Sequence, residues 1–479
     1  MTRPDAKARR AALAMTTAQH LDTIAAISTP PGHGGVGMVR IAGPRARDVL
    51  RAIFTPASGP DGGPVPRRAT LGHVHPPRRP SEPIDQAVTV FFQAPRSFTG
   101  EDTVEITAHG GPLIMAGILS AAVQAGARLA EPGEFTRRSF LNGRMDLCQA
   151  EAVASLIFAS TEEARQVMLR QVEGAMGRDA AAMRSHLVDA KTLLEAAIDF
   201  PEEVEEVDTG RLAGSLRAAL TASEELLRTA REGIALREGL RVVIAGAPNV
   251  GKSSLLNALL EEERSIVHEI AGTTRDYVEG VISVEGVPMR VVDTAGLRTG
   301  AGPVEEEGAR RTRRLMEGAD LLIMVLDGTR PMSREEERLL QSTAGAPRVV
   351  VANKADLPRA AGFVEPDGTI IASALTGQGV EELRKEIHRV FTGGSRALEA
   401  AGGVVTSLRQ AEALERIRSG CSRALEALEG GGPCLSGAAE PELLAVDVDD
   451  ALAGVGELTG EVTAEEILGE IFSRFCIGK

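Results

Sequence analysis

Residues 241–260 read RVVIAGAPNVGKSSLLNALL, and this stretch decides the fold of the central part of the chain. Its apolar beginning predicts a buried strand, and its last six residues predict the start of a helix. Residues 246–253 lie between the two and match GxxxxGK[ST], a loop whose glycines let backbone amides surround phosphate oxygens. In that pattern Lys252 reaches the β- and γ-phosphates and the Ser253 hydroxyl binds Mg²⁺. The stretch therefore predicts a site for a nucleoside triphosphate.

Two further motifs predict which base is bound. RVVDTAG ends another apolar run and places Asp293 and Gly296 in a DxxG motif, which supports the Mg²⁺ shell and senses the γ-phosphate. NKAD, residues 353–356, follows a third apolar run. The carboxylate of Asp356 can accept hydrogen bonds from guanine N1–H and from its amino group, a pairing that adenine cannot offer. The amide of Ala374 can donate to guanine O6, so the pattern predicts guanine.

The segment GTTRD, residues 272–276, supplies candidates for the loop that covers the γ-phosphate. Thr273 and Thr274 are both candidates, and Thr274 is the preferred Mg²⁺ ligand. Such a loop loses its contacts on hydrolysis, which is the basis of switching. A plain structural turn is the alternative for this segment taken alone.

The residue after the DxxG motif is unusual. Ras-like enzymes have a Gln there that orients the attacking water, whereas this chain has Leu297. An apolar side chain cannot orient water. Hydrolysis therefore requires another polarising group and another positive charge, or a partner protein.

The predicted nucleotide contacts come from the phosphate loop, the two loops that sense the γ-phosphate and the base-binding segments. They are Asn249, Val250, Gly251, Lys252, Ser253 and Ser254; His268, Glu269, Ile270, Ala271, Gly272, Thr273 and Thr274; Asp293, Thr294, Ala295 and Gly296; and Asn353, Lys354, Asp356, Ser373 and Ala374.

Length and composition describe a multidomain protein. The 479 residues are too many for one hydrophobic core and suggest two to four domains. The net charge of −14 argues against nonspecific nucleic-acid binding over the whole surface. The four cysteines lack CxxC spacing, which fits a reducing compartment and argues against structural zinc. No apolar run is long enough to span a bilayer, so we expect a cytoplasmic protein without a membrane anchor.

Sequence patterns divide the chain into five segments. Residues 239–393 alternate apolar runs with helical stretches, which predicts an α/β P-loop domain with a mostly parallel sheet. Helical spacing on both sides predicts a helical domain into which this domain is inserted. Short β-like runs near the start predict an α/β or α+β domain, of which we take α+β. The predicted limits are 1–20 for a disordered extension, in which Met15 is an alternative start, 21–141 for the α+β domain, 142–238 and 394–479 for the helical domain, and 239–393 for the inserted domain.

Several stretches outside the nucleotide motifs carry a resemblance to a known family. They are TPPGHGGVGMVRI (29–41), SFTGEDTVEITAHGGP (97–112), EPGEFTRRSFLNGRMDL (131–147) and FCIGK (475–479). Together with GAPNVGKSSLLN and AGTTRDY, their order and spacing resemble the MnmE (TrmE) family, the bacterial and organellar tRNA modification GTPases. The resemblance covers the chain from about Asp22 to Lys479.

The resemblance implies an N-terminal folate-binding and dimerising domain, a helical domain and an inserted G domain. It implies a homodimer that forms a heterotetramer or larger complex with the flavoprotein MnmG and acts on tRNA. The pair adds an aminomethyl or carboxymethylaminomethyl group to C5 of the wobble uridine. The implied cofactors are Mg²⁺, K⁺ and 5-formyltetrahydrofolate or a related tetrahydrofolate, which supplies the one-carbon unit.

Members of the family use K⁺ in place of an arginine finger and dimerise their G domains across the nucleotide. By motif position Asn249 supplies the side-chain ligand of K⁺, and His268, Ile270 and Thr273 occupy the corresponding loop positions. His268 departs from the Thr expected there. The change is harmless if that ligand is a backbone carbonyl, and it affects K⁺ selectivity if a side chain is needed.

The resemblance also answers the question raised by Leu297. Glu305, in PVEEEG, falls at the water-orienting glutamate of the family, and Glu306 and Glu307 are adjacent alternatives. Lys252 and Glu305 are thus the residues assigned to catalysis. An exposed acidic helix start is the alternative interpretation of this acidic run.

The folate site of the family corresponds to Arg40, Glu105, Arg144 and Lys479. A carboxylate suits the paired donor edge of the pterin ring, and cations suit the glutamate tail. Cys476 lies in a family motif but has no evident base nearby in sequence, so a catalytic thiol is a weak hypothesis.

Two other interpretations stay open. A ribosome-assembly or cell-cycle GTPase would be an RNA-binding timer without modification chemistry, and such proteins append an RNA-binding module or a second G domain. This chain has one GxxxxGKS and no KH-type GXXG segment. A scaffold that merely arranges MnmG is the third interpretation, and the sequence does not distinguish it from an enzyme that touches the uridine.

Overall fold

The structure, a computed structural model, describes the chain with gaps. The described residues are 22–59, 64–200, 208–261, 280–293, 314–392, 402–430, 441–462, 465–473, 475 and 477–479. They form two compact units. The first extends to Ala154 and includes Gly460–Lys479, and the second is Ser155–Thr459.

The first unit is built on a seven-stranded sheet in the order β3-β4-β5-β6-β2-β1-β7. Neighbouring strands are antiparallel except β7, which runs parallel to β1. Strand β5 shows why one face is buried, because Ala87, Thr89 and Phe91 are buried and alternate with more exposed residues. The strands are β1 Ile24–Ile27, β2 Gly34–Ala42, β3 Phe54–Pro56, β4 Thr70–Val74, β5 Asp85–Phe92, β6 Thr103–Gly110 and β7 Arg128–Leu129.

Helices cover the buried face of this sheet. Helix α1 buries Ala46, Val49, Leu50 and Ile53, a spacing that places all four on one side. Its apolar side and that of α2 pack with the strands in one cluster. The helices that begin in this unit are α1 Ala46–Ile53, α2 Pro112–Gln124, α3 Glu134–Leu141 and α4 Leu147–Ile157, and α14, numbered in chain order, is Glu465–Ser473.

A buried ion network joins α3 to the beginning of β1 and to the loop before β6. Arg138 is 1% exposed, and its Nη2 donates to Asp22 Oδ1 at 2.7 Å and to Glu134 Oε1 at 2.9 Å. Its Nη1 donates to Glu101 Oε2 at 3.2 Å. Arg128 adds a second cation, 2.6 Å from Glu134 Oε1. Three carboxylates therefore share two guanidinium groups.

The network sets the protonation of its carboxyl groups in opposite directions. Burial by itself would raise the pKa of Glu134, but hydrogen bonds from Arg128, the Glu131 amide and Arg138 outweigh it and lower the pKa to about 2. Burial raises the pKa of Glu101 despite the attraction of Arg138. Glu134 is thus the permanently charged partner of the two arginines.

The second unit contains a six-stranded sheet in the order β13-β12-β11-β8-β10-β9. All neighbours are parallel except β9 and β10. Strand β11 has the sequence LLIMVLD and is buried along its whole length, as expected for a parallel strand covered on both faces. The strands are β8 Leu240–Ala245, β9 Gly280–Val284, β10 Val287–Asp293, β11 Leu321–Asp327, β12 Arg348–Asn353 and β13 Ile370–Ile371. The helices of this part are α9 Lys252–Glu261, α10 Arg334–Ser342 and α11 Val380–Thr392.

Long helices form the rest of the second unit. Helix α6 packs against α7 and α13, and α12 packs against the same two helices, so the four form a bundle. The helices are α5 Glu162–Val172, α6 Ala175–Asp199, α7 Thr209–Leu227, α8 Ala230–Glu238, α12 Leu408–Gly430 and α13 Pro441–Thr459. This architecture confirms the predicted fold class, an α/β P-loop domain inserted in a helical domain and preceded by an α+β domain. The predicted domain limits remain predictions.

The two ends of the insertion meet beside α8. The amide of Val405, after the insertion, donates to Thr229 Oγ1 at 2.9 Å, just before α8 begins. The side chain of Gln171 donates to Val404 O. A Cβ on Gly233 would lie 2.2 Å from Val405 O, so the close approach requires glycine there. The helical and inserted parts also share one apolar cluster, which includes Met168, Leu236, Met289 and Leu383.

None of the helices in the described part of the chain combines enough length with enough apolar character to pass through a bilayer.

The buried network predicts a large effect of Arg138→Met on stability. The substitution leaves Asp22, Glu101 and Glu134 with one guanidinium where there were two, so we expect a loss of about 3–5 kcal/mol in the free energy of unfolding. Arg165→Met is the control, because Arg165 pairs with Glu162 on the surface and the midpoint of unfolding should barely change. Urea unfolding of both variants measures the difference, and equal midpoints would contradict a structural role for the network.

Candidate functional site

The carboxyl ends of four parallel strands meet at one edge of the second sheet. In β10, Asp293 lies opposite Ile244 of β8, and in β11, Asp327 lies opposite Asn353 of β12. Because β8 lies between β11 and β10, the phosphate loop that follows Ala245 emerges between the ends of these two strands. Ligands of open α/β sheets bind at this edge.

The backbone of the phosphate loop has positive φ at three positions, and glycine or asparagine occupies each of them. Gly246 has φ +157°, and a Cβ there would lie 2.3 Å from Val325 O. Gly251 has φ +94°, and a Cβ there would lie 2.3 Å from Asn353 Nδ2. Asn249 has φ +62°, a region that Asn tolerates better than most residues. Both glycines of the motif are therefore required by close contacts.

Lys252 begins α9 and keeps its ammonium group inside the loop. Its Nζ donates to Gly246 O at 3.1 Å and to Ala247 O at 2.9 Å, and the residue is 6% exposed. A cation held at the rim of a phosphate cradle can donate to phosphate oxygens without a large rearrangement. Ser253 follows it in the first turn of the helix, where the sequence predicts the Mg²⁺ ligand.

Asn353 joins the phosphate loop to the loop after β13. Its Nδ2 donates to Val250 O at 2.9 Å, and its Oδ1 accepts from the Ala374 amide at 3.0 Å. The side chain is 3% exposed, so both bonds are sheltered from water. In this arrangement the Ala374 amide, the predicted donor to guanine O6, already has a partner. Its role toward guanine stays a prediction.

Asp356 lies in the base-binding segment and is held by Ser373. The Ser373 hydroxyl donates to Asp356 Oδ1 at 2.5 Å and accepts from the Thr376 amide at 3.2 Å. Asp356 Oδ2 has no hydrogen-bond partner among the residues that the structure describes. The carboxylate is thus oriented through Oδ1, and the remaining acceptor site of that oxygen together with Oδ2 matches a base with two adjacent donors.

Sequence reasoning missed the partner of Lys354. Lys354 has φ +68°, and its Nζ lies 2.6 Å from Asp327 Oδ2. Thr329 donates from its hydroxyl and its amide to Asp327 Oδ1, at 2.6 and 3.0 Å. Burial would raise the pKa of Asp327, but the bonds from Lys354 and Thr329 outweigh it and lower the pKa. The signal in the sequence was an acidic residue closing the apolar run LLIMVLD.

Many predicted nucleotide contacts lie outside the described residues. They are His268, Glu269, Ile270, Ala271, Gly272, Thr273, Thr274, Thr294, Ala295, Gly296 and the water-orienting candidate Glu305. For Asp293 the structure describes the backbone only. The roles of these residues remain predictions.

A second cluster lies on the sheet of the first unit. Arg40 of β2 and Glu105 of β6 are directly opposite each other. Arg40 Nε and Nη2 both donate to Glu105 Oε1, at 3.1 and 2.9 Å. Glu105 Oε2 and Arg40 Nη1 have no hydrogen-bond partner within the described ranges. The pair therefore offers an acceptor and a donor side by side.

The end of the chain packs near this pair. Lys479 O accepts from the Phe135 amide at 3.2 Å, and the Phe135 ring lies 5.7 Å from the Arg40 guanidinium carbon. Gly478 has φ +96°, its carbonyl accepts from Ser28 Oγ at 3.0 Å, and a Cβ there would lie 2.3 Å from Ile27 O. Three of the four predicted folate-site residues, including Lys479 through its backbone, are thus connected by direct contacts or through Phe135.

Arg144, the fourth predicted folate-site residue, lies beside the loop that precedes β6. Its Cγ is 3.3 Å from where a Cβ on Gly100 would stand, and its amide donates to Ser139 O at 2.9 Å. That loop also carries Phe98, whose ring is 5.5 Å from the Arg40 guanidinium carbon. In the described part of the chain, no three His, Cys, Asp or Glu side chains are grouped to hold a metal ion.

Comparison with known proteins adds the family. Residues 23–144 match the family model described as the GTP-binding protein TrmE N-terminus, and residues 147–476 match the MnmE helical domain. A tRNA modification GTPase MnmE of Heliobacterium modesticaldum is 44% identical over 473 residues, with 96% of this chain and 99% of that protein covered. Another, from Geobacter metallireducens, is 44% identical over 463 residues, with 96% and 99% covered. The resemblance seen in the sequence is confirmed, and the chain belongs to the MnmE family of tRNA modification GTPases.

Proposed function

We propose that the protein is a K⁺-activated, Mg²⁺-dependent GTP hydrolase of tRNA modification. With the flavoprotein MnmG it adds an aminomethyl or carboxymethylaminomethyl group to C5 of the wobble uridine, using a one-carbon unit from a tetrahydrofolate. The observation that carries the proposal is the similarity to tRNA modification GTPases over 96% of the chain. The two hydrogen bonds of Asn353, which join the NKAD segment to the phosphate loop and to Ala374, agree with it.

Guanine selection follows from the base-binding segment. Asp356 has one oxygen oriented by Ser373 and the other directed away from that bond, so it can accept from N1–H and the exocyclic amino group together. Adenine has no donor at N1. Lys354, fixed by Asp327, sits between the two anchoring residues Asn353 and Asp356 and keeps the segment rigid.

Hydrolysis requires charge stabilisation at the γ-phosphate. Lys252 supplies a cation that its own loop already orients, and Ser253 and Thr274 would hold Mg²⁺, which neutralises the phosphate oxygens when bound. Asn249, His268, Ile270 and Thr273 would hold K⁺. Asn249 fits, since it is exposed in the phosphate loop and its side-chain oxygen can bind a cation. Glu305 would orient the attacking water in place of the Gln that Leu297 replaces.

The first unit would bind the folate. Glu105 Oε2 offers an acceptor to the amino and N3–H donors of a pterin ring, and Arg40 Nη1 offers a donor beside it. Arg144 and Lys479 would supply cations for the glutamate tail. The half-buried Arg40–Glu105 pair supports this assignment, because its side chains are 13% and 23% exposed and a ligand could still reach the atoms that the pair leaves unbonded.

We further propose a homodimer in the cytoplasm that binds MnmG and tRNA. The decisive experiment is mass analysis of wobble uridines in tRNA from a deletion strain. Loss of C5-modified uridine, restored by the intact gene and not by a Lys252→Ala gene, supports the proposal. Normally modified uridines together with defective ribosome assembly would contradict the proposal and favour the alternative, a ribosome-assembly GTPase without modification chemistry.

Asp356→Asn should change the preferred base. An amide presents a donor to guanine N1–H, so we expect GTP affinity to fall by roughly 3 kcal/mol and xanthosine triphosphate to bind better than GTP. Asp367→Asn is the control, because Asp367 is an exposed residue outside the motif. Fluorescent-nucleotide competition measures both, and an unchanged preference for GTP in Asp356→Asn would contradict the assignment.

Turnover of GTP should depend on K⁺. At equal ionic strength we expect kcat in K⁺ to be about 100-fold higher than kcat in Na⁺. This is the scale of one group that stabilises transition-state charge. Asn249→Gly keeps the left-handed backbone and removes the proposed ligand, so it should abolish most of the difference. Equal rates in the two salts for the unsubstituted protein would contradict K⁺ activation. They would indicate that His268 does not provide the ligand that K⁺ selectivity requires.

Removal of residues 475–479 should separate the two activities. Phe475 packs on Gly133, and Gly478 and Lys479 contact β1 and α3, so the deletion opens the proposed folate site. We expect weak 5-formyltetrahydrofolate binding and unmodified wobble uridine, with GTP turnover retained because the nucleotide contacts lie elsewhere in the chain. Normal uridine modification would remove the folate role of this segment.

A further inference from the structure

The guanidinium of Arg40 is held on one edge only. Its Nε and Nη2 donate to Glu105 Oε1, and its side chain is 13% exposed. The opposite edge, with Nη1, is where a ligand oxygen would be bound. For that edge to point at the ligand, the plane of the group must be fixed by something other than Glu105, because two bonds to one oxygen allow it to tilt.

Two aromatic rings supply this restraint. The centroids of Phe98 and Phe135 lie 5.5 and 5.7 Å from the Arg40 guanidinium carbon, within the range of a cation–π contact. Phe135 is completely buried and packs in a core cluster, so its position is explained by burial. Phe98 remains 36% exposed. Burial alone does not explain why an aromatic ring occupies that place.

The backbone around Phe98 is hydrogen-bonded to side chains of α3 and of the residue that follows it. Ser139 Oγ donates to Phe98 O at 2.7 Å, and Asn142 Nδ2 donates to Thr99 O at 2.8 Å. Arg138 of the same helix donates to the Glu101 carboxylate. Two side chains of α3 and that of Asn142, which caps its C-terminus, therefore bind three residues of the loop, Phe98, Thr99 and Glu101.

The loop is also fixed internally. Ser97 Oγ donates to Glu101 O at 2.5 Å, and the Glu101 amide donates to Thr99 Oγ1 at 3.2 Å. Thr99 itself is fully buried. A partly exposed ring on such a rigid loop is held in place rather than free to collapse onto the surface.

We propose that Phe98 is the positioning residue of Arg40: it fixes the plane of the guanidinium so that Nη1 faces the bound folate. This inference rests on the proposed folate site and adds to it a residue that does not need to touch the ligand. A cation oriented before binding spares the ligand the loss of side-chain freedom that ordering it would cost.

The test compares 5-formyltetrahydrofolate binding by the full-length protein and four variants, by calorimetric titration. Phe98→Leu keeps an apolar side chain and removes the ring, so the dissociation constant should rise about three- to thirty-fold, the scale of one cation–π contact. Phe98→Tyr keeps the ring and should bind within about twofold of the unsubstituted protein. Phe363→Leu removes a ring 5.0 Å from Arg359 in the second unit and should have no effect. Arg40→Ala reports on the site itself.

The outcomes separate the inference from the proposed function. Loss of binding in Arg40→Ala with unchanged binding in Phe98→Leu overturns the positioning role and leaves the folate site standing. Equal losses in Phe98→Leu and Phe98→Tyr also overturn it, since the Tyr ring preserves the contact. No binding by the unsubstituted protein, or unchanged binding by Arg40→Ala, contradicts the folate site and the inference with it. Melting temperatures and GTP turnover equal to those of the unsubstituted protein show that Phe98→Leu acts on the site and not on folding.

Discussion

The buried side-chain amide of Asn353 donates to the phosphate loop and accepts from the loop after β13. The nucleotide site depends on these two hydrogen bonds. Each loop follows a different strand, and a sheet alone fixes only the points at which its strands end. The amide fixes how far apart the two loops stand beyond that edge. Gly251 has to be glycine because the same amide nitrogen occupies the space that a Cβ would take. One residue thus determines the identity of another that is distant in sequence.

In the first unit, too, one side chain joins segments that are distant in sequence, but here the joining group is a charged guanidinium and not an amide. Arg138 joins Asp22 ahead of β1, the loop before β6 and the first residue of α3, and Arg128 supplies a second cation to Glu134. Buried charges of this kind tolerate little displacement, since any loss of geometry leaves an uncompensated charge in a poorly solvated place. The Arg40–Glu105 pair is therefore carried by a framework whose parts cannot shift independently.

The sequence was sufficient wherever a function depends on neighbouring residues. The phosphate loop, the NKAD segment and the strand–helix alternation are local patterns, and the fold class they predict is the one observed. It was insufficient where the partner lies far along the chain. Asn353 and Val250 are 103 residues apart, and Arg138 and Asp22 are 116 apart. Residue type predicts that such groups need partners, but the topology decides which partners they find. Ala374 shows the same limit, because its amide is engaged by Asn353 before any base is considered.

The junction at Thr229, Gly233 and Val405 places the two ends of the inserted domain side by side. Loss of the whole domain would leave a gap that a few residues could bridge, and its gain would have interrupted the helical host at a single loop. The helical bundle accordingly keeps its own connectivity on both sides of the α/β domain. Because Met168 and Leu236 of the helical part share a buried cluster with Met289 and Leu383 of the α/β part, a substitution on one side has to stay compatible with the other.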